Sequence, residues 1–312
     1  MLQKYRSFCE SQPGLPIYYQ PWYLDGIAGA GGWDALVVEA GSVTAAIMPF
    51  TLEKRFFWRM LRQPMFAKMS GPYLAPDFRG TKESSEILNR LIAALPAYDF
   101  LSVQCHYSLD NWMPFSWAGF EQTTKYSFLL DDLTDMDQVA QGINRNMRRN
   151  IRKAAAQLQV VHDLGLQEFY RLAGLSMQRK SMSLPYSFEQ LQKHDESLAS
   201  HHARQLFFAV DDLGQIHSAA CLMWDRQSSY FHIVGDDPAL RSSGSGILLI
   251  WEAVRYTVEE LKLTRFDFEG SMLPEVAAIR RQFGAQPRPY FHLRHYRSKM
   301  LRILDAVRGV GG

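Results

Sequence analysis

Three side chains able to move protons near neutral pH fall on two short stretches that alternate like strands: His232 in residues 230–234, and Asp267 and Glu269 in residues 265–269. Imidazole and carboxylate groups serve as general bases when a neighbour or burial tunes them. Period-two alternation predicts that Tyr230, His232 and Val234 share a face, and that Asp267 and Glu269 lie opposite Phe266 and Phe268. Glu269 stands beside Gly270 at the strand end, where a long carboxylate reaches a substrate amine and accepts its proton. Asp267, shorter and further inside, reads as a residue that positions a neighbour. Tyr290, on a later alternating segment, offers a phenol to a leaving group; its ordinary reading is packing. Between the two strands stands a different chemistry. Arg241, Ser242, Ser243, Gly244, Ser245 and Gly246 have the spacing R-x-x-G-x-G, with glycines where backbone N–H groups must come close to an anion. Pyrophosphate is the anion such a turn fits.

The elements that position these residues are legible around them. Tyr230 to Val234 is β-branched and aromatic, and Gly235-Asp236-Asp237-Pro238 ends it. Leu249, Ile250, Ala253, Val254, Val258 and Leu261 recur at spacings of three and four, which predicts a helix over 246–261 with one buried face. The order is strand, glycine-rich turn, helix, strand. Upstream, Thr134 with Asp137 resembles a capping box and predicts one long helix to about residue 157. On it Ile143, Met147, Ile151 and Ala154 share a face, and Arg145, Arg148, Arg149 and Arg152 share the other. Arginine pairs bidentately with phosphate, so Arg148, Arg149 and Arg152 are candidate contacts for a substrate phosphate or RNA, set against the plain reading of a solvated helix face. Before residue 131 the chain also reads helix, strands, helix, strand: strands over 33–39 and 42–50 around Ala40-Gly41, a helix over 84–95 and a strand over 100–105.

The residues 150–154 (NIRKA) after the arginine run, 266–272 (FDFEGSM), and 281–285 (RQFGA) with Tyr290 resemble the FemAB-like branch of the GNAT acyltransferase superfamily, and R-x-x-G-x-G resembles that superfamily's pyrophosphate-binding signature. The resemblance implies a mixed α/β fold of two tandem GNAT-like domains, each a mostly antiparallel sheet flanked by helices, divided here at 1–131 and 132–312. It implies transfer of an acyl group from acetyl-CoA or another acyl-CoA, held by residues 241–246, to a small-molecule or peptide amine. Some members of the branch use aminoacyl-tRNA to extend a peptidoglycan-precursor peptide; this sequence shows no long heptad segment of the kind some of them insert. A catalytically inactive scaffold that binds a ligand is the reading from outside the enzymes.

Composition agrees with a protein of this size and type. The 312 residues are 47% hydrophobic and 21% charged, which suits a globular chain with room for two domains. The net charge of +2 excludes neither an anionic ligand nor nucleic acid. Cys9, Cys105 and Cys221 are odd in number and lack metal-ligand spacing, so no metal site or disulfide framework is expected. No apolar run has the length of a membrane span, and the N-terminal residues lack a signal-peptide core, so a cytoplasmic location is expected.

Overall fold

The computed structural model describes residues 1–29 and 31–307. Two compact units emerge, Met1–Lys125 together with the chain from Pro289 onward, and Tyr126–Arg288. This differs from the expected division at residue 131, because the last strand pairs back into the first unit.

In chain order the first unit opens with helices α1 (Leu2–Ser11) and α2 (Pro21–Ala28), the latter with its proline in the first turn, where a missing N–H costs nothing. Strands β1 (Asp34–Ala40), β2 (Val43–Arg55) and β3 (Trp58–Arg62) form antiparallel hairpins. Strand β2 is longer than the expected 42–50, and the second hairpin turns at Phe56-Phe57. A short β4 (Tyr73–Leu74), helix α3 (Ser84–Ala93), strand β5 (Phe100–Gln104) and helix α4 (Met113–Trp117) follow. Strand β5 lies parallel to β3. The core of this unit gathers Leu61, Leu88, Leu91, Leu101 and Val103.

Strand β6 (Glu121–Leu130) leads into the second unit. The single helix expected over 134–157 is two helices, α5 (Met136–Gly142) and α6 (Arg145–Ala155). The break follows from Ile143, which is extended, and from Asn144, whose side chain caps α6 by accepting from Asn146 N at 2.9 Å. Asp135 caps α5. Thr134 instead bonds Asp132. Then come β7 (Gln159–His162), α7 (Leu166–Gln178), α8 (Phe188–Ser200), β8 (Arg204–Val210), β9 (Ile216–Trp224), β10 (Ser229–Asp236), α9 (Ser245–Glu259), β11 (Phe266–Asp267) and α10 (Pro274–Gln282). Within this unit the sheet order is β6-β11-β10-β9-β8-β7, antiparallel except where β11 runs parallel to β10.

Strand β12 (Gln286–Tyr296) then carries the chain back to pair antiparallel with β5, and α11 (Lys299–Val307) ends the described chain. Each unit thus holds a mostly antiparallel sheet flanked by helices.

Two contacts bind the helices of the second unit to its sheet. The predicted apolar face of α9 buries Leu248, Leu249, Ala253 and Val254 in the core with Phe207, Ala220, Phe231 and Phe266, each large side chain contributing about 1.5–3 kcal/mol. Thr257 on α9 meets Ser229 of β10 hydroxyl to hydroxyl at 2.7 Å. On the other side α7 comes so close to Gly235 that a Cβ there would lie 2.4 Å from the Ala173 backbone nitrogen.

Candidate active site

Strands β10 and β11 pair over only two residues, Ser229 with Phe266 and Tyr230 with Asp267. Beyond Tyr230 the longer β10 continues to Asp236 while β11 has ended, so the two strands part. At the parting β10 carries a bulge: Phe231 stands opposite Leu222 and Ile233 opposite Cys221, with His232 as the extra residue. The bulge overturns the expected alternation. Phe231 and Val234, three apart, line one cleft together. His232 turns instead to the buried carboxylate of Glu269 and does not share a face with Val234.

The cleft on the α9 side measures about 250 Å³ and lies against Ala219, Ala220, Phe231, Gly244, Gly246 and Ile279. Its floor is the R-x-x-G-x-G segment, which forms a 3-10 turn over Pro238–Ser243 followed by Gly244 at φ +77°. That backbone conformation explains the glycine, since a side chain there is strained whatever space surrounds it. Gly246 has an ordinary φ, and a Cβ on it would meet nothing within 4 Å. Among the described residues neither the Gly246 nor the Ile247 amide has an acceptor, and the positive end of α9 adds to their pull on an anion.

The six residues expected to hold pyrophosphate divide by role. Gly244, Ser245, Gly246 and Arg241 line the cleft. Ser242 is exposed and outside the lining. Ser243 braces the turn, donating to Leu240 O at 2.8 Å and meeting His217 Nδ1 at 2.9 Å, while His217 Nε2 lies 3.1 Å from Asp211. The guanidinium of Arg241 is half exposed and pairs through Nε with Asp236 at 2.5 Å. The two amides are therefore open to an acceptor, while the Arg241 guanidinium is already engaged by Asp236.

A polar chain is buried on the opposite face. His232 Nδ1 lies 2.7 Å from Glu269 Oε1, both side chains almost fully out of water. The Glu269 amide donates to Asp267 Oδ1 at 2.8 Å, and the same oxygen accepts from the Ser127 hydroxyl. Glu269 was expected at an open strand end. It turns inward, because at φ +49° it reverses the backbone just past β11, and a non-glycine residue in that region is a mark of local strain. Burial pushes the Asp267 carboxyl up to about 7, against the opposing effect of its bond from Ser127. His194 of α8 packs edge-on against His232 with ring centroids 5.1 Å apart, and burial first, His232 second, hold it well below the usual histidine value.

Neither Ser127 nor His194 was singled out from sequence. His194 carried a signal, since it sits on the buried stripe of α8 between Leu191 and Leu198. Ser127 carried none. Tyr290 belongs to the first unit, buried, with its hydroxyl donating to Gln104 Oε1 at 3.0 Å. Arg149 and Arg152 project from α6 into solvent, as does Arg145, and among the described residues none of the three has a carboxylate within ion-pair distance. Arg148 is half-buried and reaches the Ala140 carbonyl at 3.4 Å. The three cysteines are buried and free, and no cluster of metal-ligating side chains occurs among the described residues.

Residues 142–274 match the family described as an acetyltransferase (GNAT) domain. That span begins before α6 and runs past β11, taking in all of the cleft lining but Ile279, together with the bulge and Glu269. Within that span the chain carries a GNAT acetyltransferase domain. The fold is the tandem GNAT arrangement, and the matched domain is of the acetyltransferase type. The crystal structure of FemX superposes with a TM-score of 0.68 at 14% identity, covering 93% of this chain and 95% of that one. The C-terminal domain of a putative lysylphosphatidylglycerol synthetase from Agrobacterium fabrum gives 0.59 at 11%, covering 98% and 97%. A tandem GNAT protein from the clavulanic acid biosynthesis pathway gives 0.56 at 13%, covering 85% and 82%. At these identities the likenesses establish the fold. No curated protein matches the sequence.

Proposed function

We propose that the chain transfers an acyl group from an acyl-coenzyme A to an amine, with the donor's pyrophosphate on the Gly246 and Ile247 amides and the His232–Glu269 pair taking the amine's proton. The observation that carries the reading is the 250 Å³ cleft, apolar along Ala219, Ala220, Phe231 and Ile279 and ending at two acceptorless helix amides, beside strands that part at a bulge. That combination suits a ligand with an anionic head and a long, weakly polar arm. The acyl-coenzyme A supplies the activated thioester carbonyl.

The chain's own residues account for the rest. A carboxylate accepting from Nδ1 holds the imidazole with its lone pair on Nε2, the arrangement in which histidine accepts a proton. The attacking nitrogen bonds the acyl carbon, the thiolate leaves, and the proton released from nitrogen passes to the His232–Glu269 pair. Ser127 and Asp267 do not touch the reacting atoms in this reading. They hold Glu269 by its backbone amide, so both are positioning residues.

Glu269→Gln keeps the shape and the acceptor for His232 while removing the charge that stabilises a protonated imidazole. Its kcat should fall by roughly 10²–10⁴ with coenzyme A affinity unchanged. A parental kcat across pH 6 to 9 would remove the pair from the mechanism. A second reading, transfer from an aminoacyl-tRNA, draws on the exposed arginines of α6, which among the described residues have no carboxylate within ion-pair distance. A cytoplasmic site of action accords with either reading; no helix among the described residues is long and apolar enough to cross a membrane.

A further inference from the structure

The β2–β3 hairpin of the first unit ends in a two-residue turn, Arg55 pairing with Trp58 across Phe56 and Phe57. Two-residue hairpin turns need left-handed backbone, and glycine, asparagine or aspartate normally supply it. Here Phe56 does so at φ +58°. The chain thus accepts strain to place a large apolar ring at a tip, where Phe56 is 82% and Phe57 64% exposed. Lys54, Arg55 and Arg59 flank the two rings, with Glu53 further down β2, opposite Met60, and Asp99 3.6 Å from Arg59.

A second apolar surface adjoins this hairpin. Leu301 of α11 is buried against Met60 and Phe100, with Trp58 and Tyr296 packed on the same cluster, so α11 lies on the strand that the tip belongs to. Its outer stripe leaves Met300 and Ile303 more than half exposed. Lys299 and Arg302 border that stripe, Arg302 paired with Glu121 at 2.8 Å. Aromatic rings at a rigid tip, a half-uncovered amphipathic helix beside it, and lysine and arginine around both are the features that hold a protein in the headgroup region of an anionic bilayer.

We infer that this end of the first unit is a peripheral membrane-docking surface, with Phe56 and Phe57 entering the interface and the basic residues meeting anionic headgroups. The inference is independent of which acyl donor the second unit uses. The turn supplies a clean variant, because Phe56→Gly relieves the left-handed strain while deleting the ring, and Phe57→Ser removes its neighbour.

The test is sedimentation of the full chain with sucrose-loaded vesicles of phosphatidylcholine alone or with 30 mol% phosphatidylglycerol, roughly the anionic content that gives a surface potential of some tens of millivolts. The parent should bind the anionic vesicles, bind the zwitterionic ones weakly, and release as salt rises and the Debye length shrinks. Phe56→Gly/Phe57→Ser should melt no lower than the parent and bind about tenfold or more weakly, since two buried rings are lost. Met300→Ser/Ile303→Ser should lose binding to a lesser degree. A parent that stays in the supernatant at low salt overturns the inference, as does a turn variant that sediments like the parent. A parent that is dimeric by light scattering, made monomeric by the turn variant and indifferent to vesicles, overturns it in favour of self-association.

Discussion

Burial lifts the carboxyl of Asp267 well above the usual aspartate range, and the direction has a consequence for stability. Burial raises it to about 7, so the folded chain keeps this proton over a range in which the unfolded chain, with its aspartate near 3.8, has released it. Its contribution to stability is therefore full below about pH 4, declines as pH rises toward 7, and stays lost above that. Both of its hydrogen bonds are accepted on Oδ1, from Ser127 and the Glu269 amide, and the second oxygen has no donor among the described residues. Asparagine keeps that acceptor and cannot ionise. Asp267→Asn should gain on the parent in melting temperature between pH 4 and 8 and overtake it at pH 8; a variant less stable than the parent at pH 8 would show that the ionised carboxylate is held by the fold. At this scale the sequence drew attention to His232, Asp267 and Glu269 by type and placement, and the structure joins them in one buried chain of hydrogen bonds. The sequence did not mark the bulge at His232 or the left-handed turn at Glu269, because neither one extra residue in a strand nor a positive φ leaves a trace in side-chain alternation.

At the scale of elements the close approach of α7 to β10 is the contact with least tolerance. A Cβ at Gly235 would lie 2.4 Å from Ala173 N and 2.5 Å from the Leu172 carbonyl carbon, all backbone, so nothing flexible gives way. Gly235→Ala should destabilise by about 1–3 kcal/mol or more, read as a lower urea midpoint. A parental midpoint would mean that α7 moves off the sheet without cost. The α9 helix was readable from its three-and-four spacing, which burial of one face enforces. The break between α5 and α6 was not, since the apolar positions Ile143 and Met147 keep a helical interval across it. Only the extended Ile143 and the cap by Asn144 reveal two helices. Return of β12 to β5 was equally hidden, because it depends on pairing across nearly two hundred residues.

For the whole molecule, donor binding is proposed for the second unit, on the cleft between β10 and α9, and membrane docking for the first. Each unit carries its own core. In the proposed function the Gly246 and Ile247 amides receive the pyrophosphate of an acyl-coenzyme A. Gly244 is a poor place to test it, since any substitution there strains the turn. At Gly246 the φ is ordinary and the space open, so an aspartate fits the fold while putting a negative charge where the anion belongs. The deciding measurement is calorimetric titration of acetyl-coenzyme A, and of coenzyme A itself, into the parent and Gly246→Asp proteins, with melting curves for both. The account predicts saturable binding to the parent, at least about tenfold weaker binding to the variant from the lost charge-assisted contacts, and equal melting temperatures without ligand. A parent that binds neither compound, yet binds aminoacyl-tRNA with an affinity that falls steeply with salt and depends on Arg149 and Arg152, would contradict it.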